Sequence, residues 1–189
     1  MKRADELVDR LVPMSDPLPR TAQTGRSRVD PRLSRLASRL IAKPVEIRCW
    51  NRTDWRTVVG SRNALAEETG ELAGFVWAGR AHVEGVICDR LAVSPAVKGD
   101  LHVASALKVV AHEAKHLSSP EWTEAQVECW ALQHIEHAAR LVGGTASAGR
   151  RLALLEWRLA YPLNPPAYRS RDCRPGGAWD ETPSDGVWP

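Results

Sequence analysis

Apolar positions change period twice along this chain, and the changes divide it into helical, strand and helical regions. Leu33, Leu36, Ala37 and Leu40 recur on one helical face, Asp30-Pro31 supplies an N-cap with proline in the first turn, and Pro44 closes the run. Arg32, Arg35 and Arg39 line the opposite side, which reads as a solvated face rather than a phosphate site. Val45, Ile47 and Cys49 then alternate with Glu46, Arg48 and Trp50, which is strand periodicity. Residues 74–77 and 81–87 flank Ala78-Gly79-Arg80 and predict a β-hairpin, and 53–73 accommodate a short helix and a loop.

From Asp100 the period is helical again. Asp100 can cap a helix that carries Leu101, Ala104, Leu107, Val110 and Ala111 toward Leu117. Ser118-Ser119-Pro120-Glu121 ends that helix and opens a second, with Ser118 and Glu121 at capping-box spacing, running to about residue 141. A third, capped near Thr145, carries Leu152, Leu155 and Leu159 to Tyr161.

The ends have a different character. Residues 1–29 read as a loosely held arm, a short amphipathic stretch followed by Pro13, Pro17 and Pro19 and a polar run. Residues 162–189 hold six of the thirteen prolines together with Trp179 and Trp188, which predicts an extended tail pinned to the body. The expected organisation is an arm (1–29), an α+β domain (30–161) and a packed tail (162–189).

Composition narrows the function classes. With 43% hydrophobic and 26% charged residues in 189, the chain has an ordinary globular make-up, and no apolar run approaches the roughly 20 residues of a spanning helix. The net charge is only +3 and the basic residues are dispersed, so neither a nucleic-acid nor a membrane partner is expected. Acidic residues interrupt the first twenty positions, so no signal peptide is read there and a cytoplasmic location is expected. Cys49, Cys88, Cys129 and Cys173 form no CxxC pair. Reduced thiols are the expectation in that compartment, although two disulfides are possible in three connectivities.

One segment carries chemistry. His112-Glu113-Ala114-Lys115-His116 is an HExxH sequence inside a predicted helix. Four residues advance a helix by about 400°, so the two imidazoles share a face and can take two corners of a tetrahedral Zn2+ site. Glu113 lies about 100° around, beside the metal, where it can hold an attacking water and take its proton. The bland alternative is a pair of core histidines. Glu121, Glu124 and Glu128 are the nearby carboxylates. If the second helix folds back antiparallel, Glu124 comes level with His116 and Glu128 with His112, whereas Glu121 suits the helix start. Glu124 is therefore the expected third ligand, and Glu128 the acceptor from the His112 imidazole. A solvated face is the alternative reading of both.

HExxH followed on the next helix by Glu-x-x-x-Glu resembles the gluzincin arrangement of zinc metallopeptidases. A nearer resemblance is to small HExxH metallopeptidases of high-GC Gram-positive bacteria. It rests on Cys49-Trp50, residues 112–117, residues 124–133 and the tail 168–174, and spans about 45–189. The resemblance implies a zincin-like fold, Zn2+ held by His112, His116 and Glu124, Glu113 as general base and Glu128 behind His112. It also implies hydrolysis of peptide or protein substrates through a metal-activated water. The short interval from His116 to Glu124, and Glu128 where Asp is more usual, depart from the gluzincin pattern. For the oxyanion, His82, His134, His137 and Tyr168 are eligible by type, and spacing places none of them. The strand over 81–87 could align an extended peptide as a sheet edge. Trp122 and Trp130 read as hairpin packing, and pairing of Cys129 with Cys173 would staple the tail to the second helix. A zincin-like binding module without turnover is the alternative function, and a metal-free helical interaction protein the third. Oligomeric state is not legible.

Overall fold

The computed structural model describes residues 27–60, 73–92, 100–183 and 188–189. It is an α+β structure with a small mixed sheet. The strands are β1 (Ser27–Val29), β2 (Ile47–Trp50), β3 (Gly74–Trp77) and β4 (Arg80–Glu84), in spatial order β1-β2-β4-β3. β2 runs parallel to β4, with Ile47 opposite Ala81 and Trp50 opposite Glu84; the β1–β2 and β3–β4 pairs are antiparallel. Among the described residues seven α-helices surround the sheet: α1 (Pro31–Ile41), α2 (Arg52–Gly60), α3 (Gly85–Arg90), α4 (Leu101–Ser118), α5 (Glu124–Gln133), α6 (Ile135–Leu141) and α7 (Ala146–Leu155). A π-helical turn, Glu156–Ala160, and the 3-10 turns Tyr161–Leu163 and Pro166–Tyr168 follow.

Strand alternation sends side chains to two cores. Ile47, Cys49, Ala81 and Val83 face the main core with Leu33 and Leu36 of α1, Leu107 and Val110 of α4, and Leu132 and Leu152. Trp50 and Phe75 face the other way and pack with Trp55 and Val58 of α2. The sheet is thus covered on both faces, and α4 passes through the centre of the larger layer, in contact with α1, α5, α6, α7, β3 and β4. Asp100 caps α4 by accepting from the Val103 N–H at 3.0 Å.

Several expectations need correction. Ser27–Val29 is a paired edge strand, so the arm ends before it; residues 1–26 lie outside the described residues. The strand expected over 81–87 stops at Glu84, because Gly85 starts α3. Residue ranges 61–72 and 93–99 also lie outside the described residues. The second helix of the hairpin starts at Glu124, not near Ser118. Thr123 and Gln126 form the capping box there, while Trp122 N–H donates to the Ser119 carbonyl in the connecting turn. That helix also breaks at His134, so α5 and α6 replace one continuous run. Glu121 sits exposed in the turn.

The cysteines are oxidised, which overturns the reduced-thiol expectation. Cys49 pairs with Cys88, fastening β2 to α3, and Cys129 pairs with Cys173, fastening α5 to the tail. The tail is further held where Gln133 Nε2 donates to the Trp179 carbonyl at 2.8 Å. No helix among the described residues is long and apolar enough to cross a membrane.

Candidate metal centre

His112 and His116 stand one turn apart on α4, and their Nε2 atoms are 3.0 Å apart. Glu124, the first residue of α5, brings Oε2 to 3.0 Å from His112 Nε2 and 3.3 Å from His116 Nε2. Bonds of about 2.0–2.1 Å to a tetrahedral zinc put ligand atoms roughly 3.3 Å apart, so the donor set has the size the ion requires. Glu124 reaches both imidazoles instead of lying level with His116 alone. Among the described residues this is the one group of three metal-ligating side chains whose ligand atoms converge.

Glu128, one turn along α5, turns Oε2 to within 2.9 Å of His112 Nδ1. A carboxylate can only accept, so Nδ1 carries a hydrogen and Nε2 is the nitrogen that faces the centre. Nε2 of His112, Nε2 of His116 and Oε2 of Glu124 then face one another as electron-pair donors. Such a cluster could hold a metal cation or a shared proton at its middle.

Burial disfavours charge on His112, yet hydrogen bonds and charge from Glu124 and Glu128 raise its pKa to about 10. The two carboxylates, despite their own burial, are held well below the usual range, Glu124 by both histidines and Glu128 by Lys108 and His112. Glu113 behaves oppositely: burial pushes its carboxyl up to about 7, although the histidines pull it down. Its carboxyl lines a cleft of about 130 Å³ bounded also by Ala73, Gly74, Lys108, Asn164 and Tyr168.

The wall opposite α4 comes from the tail. Tyr168 stacks against His112, ring centroids 5.8 Å apart, with its phenol close enough to Glu124 to feel its charge. Burial and the carboxylates of Glu124, Glu113 and Glu128 raise the phenol far above its ordinary pKa, so it keeps its proton. Asn164 Nδ2 donates to Glu128 Oε1 at 2.5 Å. Of the four residues eligible for the oxyanion, only Tyr168 lines the cleft. His82 alternates away from Ala81 and Val83 onto the aromatic face of the sheet, where it accepts from Trp50 Nε1 at 3.0 Å and stacks on Phe75. His134 stacks on Trp130 and His137 is exposed.

The expected substrate edge moves by one strand. β4 is paired on both sides, so among the described residues the outer strand of this side of the sheet is β3, whose Gly74 reaches the cleft. Trp122 and Trp130 pack with Ala111 and Ala131 and hold Lys115 over their rings; they line the hairpin rather than the cleft. The sequence reading missed Asn164, Lys108 and Glu156. Lys108 had a usable signal, one turn before His112 on the same face, whereas Asn164 and Glu156 had none in local spacing.

Comparison with protein-family models, with curated proteins and with solved structures gives no match.

Proposed function

We propose that this chain is a zinc-dependent peptidase of zincin-like type, with His112, His116 and Glu124 as metal ligands and Glu113 as general base. The observation that carries the reading is the convergence of three electron-pair donors within 3.3 Å, with an ionisable carboxyl of raised pKa beside them in a cleft. Zinc, if bound by these three residues, would supply a Lewis acid able to polarise a carbonyl and lower the pKa of a water to about 7. Glu113 takes the proton of the attacking water and passes it to the leaving amine. Tyr168, protonated and against His112, is the donor available to the developing oxyanion.

The reading takes a peptide or protein as substrate. Two disulfides persist in oxidising compartments, so the proposal places the protein outside the cytosol. Elemental analysis of protein purified without chelators is the first test, with one zinc per chain expected. Glu113→Gln should keep that zinc and lose peptide hydrolysis. A zinc-free protein, or full turnover in this variant, sinks the assignment. If wild type holds zinc and cleaves nothing in a diverse peptide library, the site is a binding module.

A further inference from the structure

Behind Glu128 lies a chain of buried polar groups that the proposed chemistry does not use. Lys108 Nζ is 2.5 Å from Glu128 Oε1 and 3.1 Å from Glu156 Oε1. Glu156 Oε2 in turn accepts from Ser105 Oγ at 2.7 Å. The side chains of Lys108, Glu128 and Glu156 are 12%, 3% and 1% exposed. Ser105 and Lys108 lie on α4, Glu128 on α5, and Glu156 opens the π-helical turn after α7, so three separate elements meet here.

Stability alone does not account for such a cluster. Two carboxylates and one ammonium removed from water lose several kcal/mol each in hydration, and a well-packed apolar set of equal volume is often as stable or more so. The π-helical turn that carries Glu156 is a rare geometry, frequent at functional sites. What the cluster does provide is aim. Lys108 and Asn164 both bind Oε1 of Glu128, which leaves Oε2 directed at His112 Nδ1. Lys108 has a long flexible stem and would not stay in place unaided; Glu156, tied to Ser105, fixes its head from the other side.

We propose that Lys108 and Glu156 are positioning residues for the metal centre, acting through Glu128 to hold His112 in the tautomer and orientation that present Nε2. The inference rests on His112 being a zinc ligand. Neither residue is a metal ligand in this account, although Lys108 also borders the cleft. Groups in the shell behind a ligand typically govern metal affinity by 10- to 100-fold.

The test measures zinc dissociation constants by chelator competition, beside thermal unfolding of the metal-free protein. Glu156→Gln preserves shape and removes the charge; Lys108→Met removes the ammonium but keeps most of the stem; Lys108→Arg restores the charge. Expected is about tenfold weaker zinc for Glu156→Gln and Lys108→Met, with binding partly recovered in Lys108→Arg. The double variant should be little worse than Lys108→Met, because both act through one path. Unchanged zinc affinity alongside a shifted unfolding midpoint would make the triad purely structural and overturn the inference. Should Lys108→Met fail to fold, Glu156→Gln decides alone. The controls separate the two levels: wild type that binds no zinc, or His112→Ala that binds it normally, removes the metal reading and this inference with it. Tight zinc in wild type with unaffected variants removes only the inference.

Discussion

Glu113 lies directly over Gly74: a Cβ built on that glycine would stand 2.5 Å from Oε1 and 2.7 Å from Cγ of the carboxyl-bearing side chain. The first residue of β3 is therefore the floor on which the proposed base rests, and its lack of a side chain is a requirement of the site. Gly74→Ala should displace the Glu113 carboxyl, the mobile end of a flexible side chain, while leaving the backbone intact. We expect kcat to fall by roughly 100-fold, the loss that a displacement of about 1 Å can cause, with one zinc per chain retained. Steady-state kinetics with elemental analysis would check this. Unaltered kcat would mean that the position of Glu113 does not matter.

Tyr168 offers a second prediction at the same cleft. Tyr168→Phe keeps the stack on His112 but removes the hydroxyl. If the phenol serves the oxyanion, kcat falls about 10²-fold or more with KM little changed, since the donor acts on charge that develops during the reaction. A rise in KM alone would assign Tyr168 to substrate binding.

These two residues show where sequence reading succeeds and where it stops. His112, Glu113 and His116 are legible because helical period alone sets their relative directions. Glu124 and Glu128 follow from one further assumption, that the next helix folds back. The site survives even though that helix starts later than expected, at Glu124, because both carboxylates lie on the same helix and move together. Tyr168 and Asn164 lie on a proline-rich tail with no period to project, so their place at the cleft follows from tertiary contacts, among them the Cys129–Cys173 bridge and the Gln133–Trp179 hydrogen bond. His82 is the converse case. It is eligible by chemistry, but strand alternation turns it to the far face of the sheet, and that face is known only once the registers of β2 and β4 are known.

That far-face histidine gives a pH prediction away from the metal. Burial lowers the His82 pKa from 6.5 to about 4. Between those values the unfolded chain binds a proton that the folded chain refuses, so this group's contribution to stability is present above pH 6.5 and is lost as pH falls toward 4. A shift of that size corresponds to something on the order of 3 kcal/mol. His134, also lowered to about 4 by burial, acts in the same direction, whereas Glu113, raised to about 7, acts in the opposite one. The difference between variants is therefore the useful quantity. His82→Asn, whose Oδ1 can accept from Trp50 as Nδ1 does, should destabilise the protein less at pH 4.5 than at pH 7.5 relative to wild type. Denaturant unfolding at the two pH values measures this, and an equal effect at both would refute it.

The Cys129–Cys173 bridge joins the residue after Glu128 to the tail that carries Asn164 and Tyr168. Closing a loop of 44 residues restricts the unfolded chain and stabilises the fold by about 4 kcal/mol in the chain-entropy account. Cys49–Cys88 closes 39 residues and should contribute similarly, but it fastens β2 to α3, away from the cleft. The two bridges thus make a matched pair for experiment. Replacing either cysteine pair by alanines should lower the unfolding midpoint by comparable amounts. Only the Cys129→Ala/Cys173→Ala protein should also lose activity at temperatures where it remains folded, because Tyr168 and Asn164 are then held by fewer contacts. Mass spectrometry after alkylation, with and without a thiol reductant, would first establish that all four sulfurs are blocked in the native protein. Equal loss of activity in both pairs would show that the tail needs no covalent anchor to shape the cleft, and that stability alone connects the bridges to turnover.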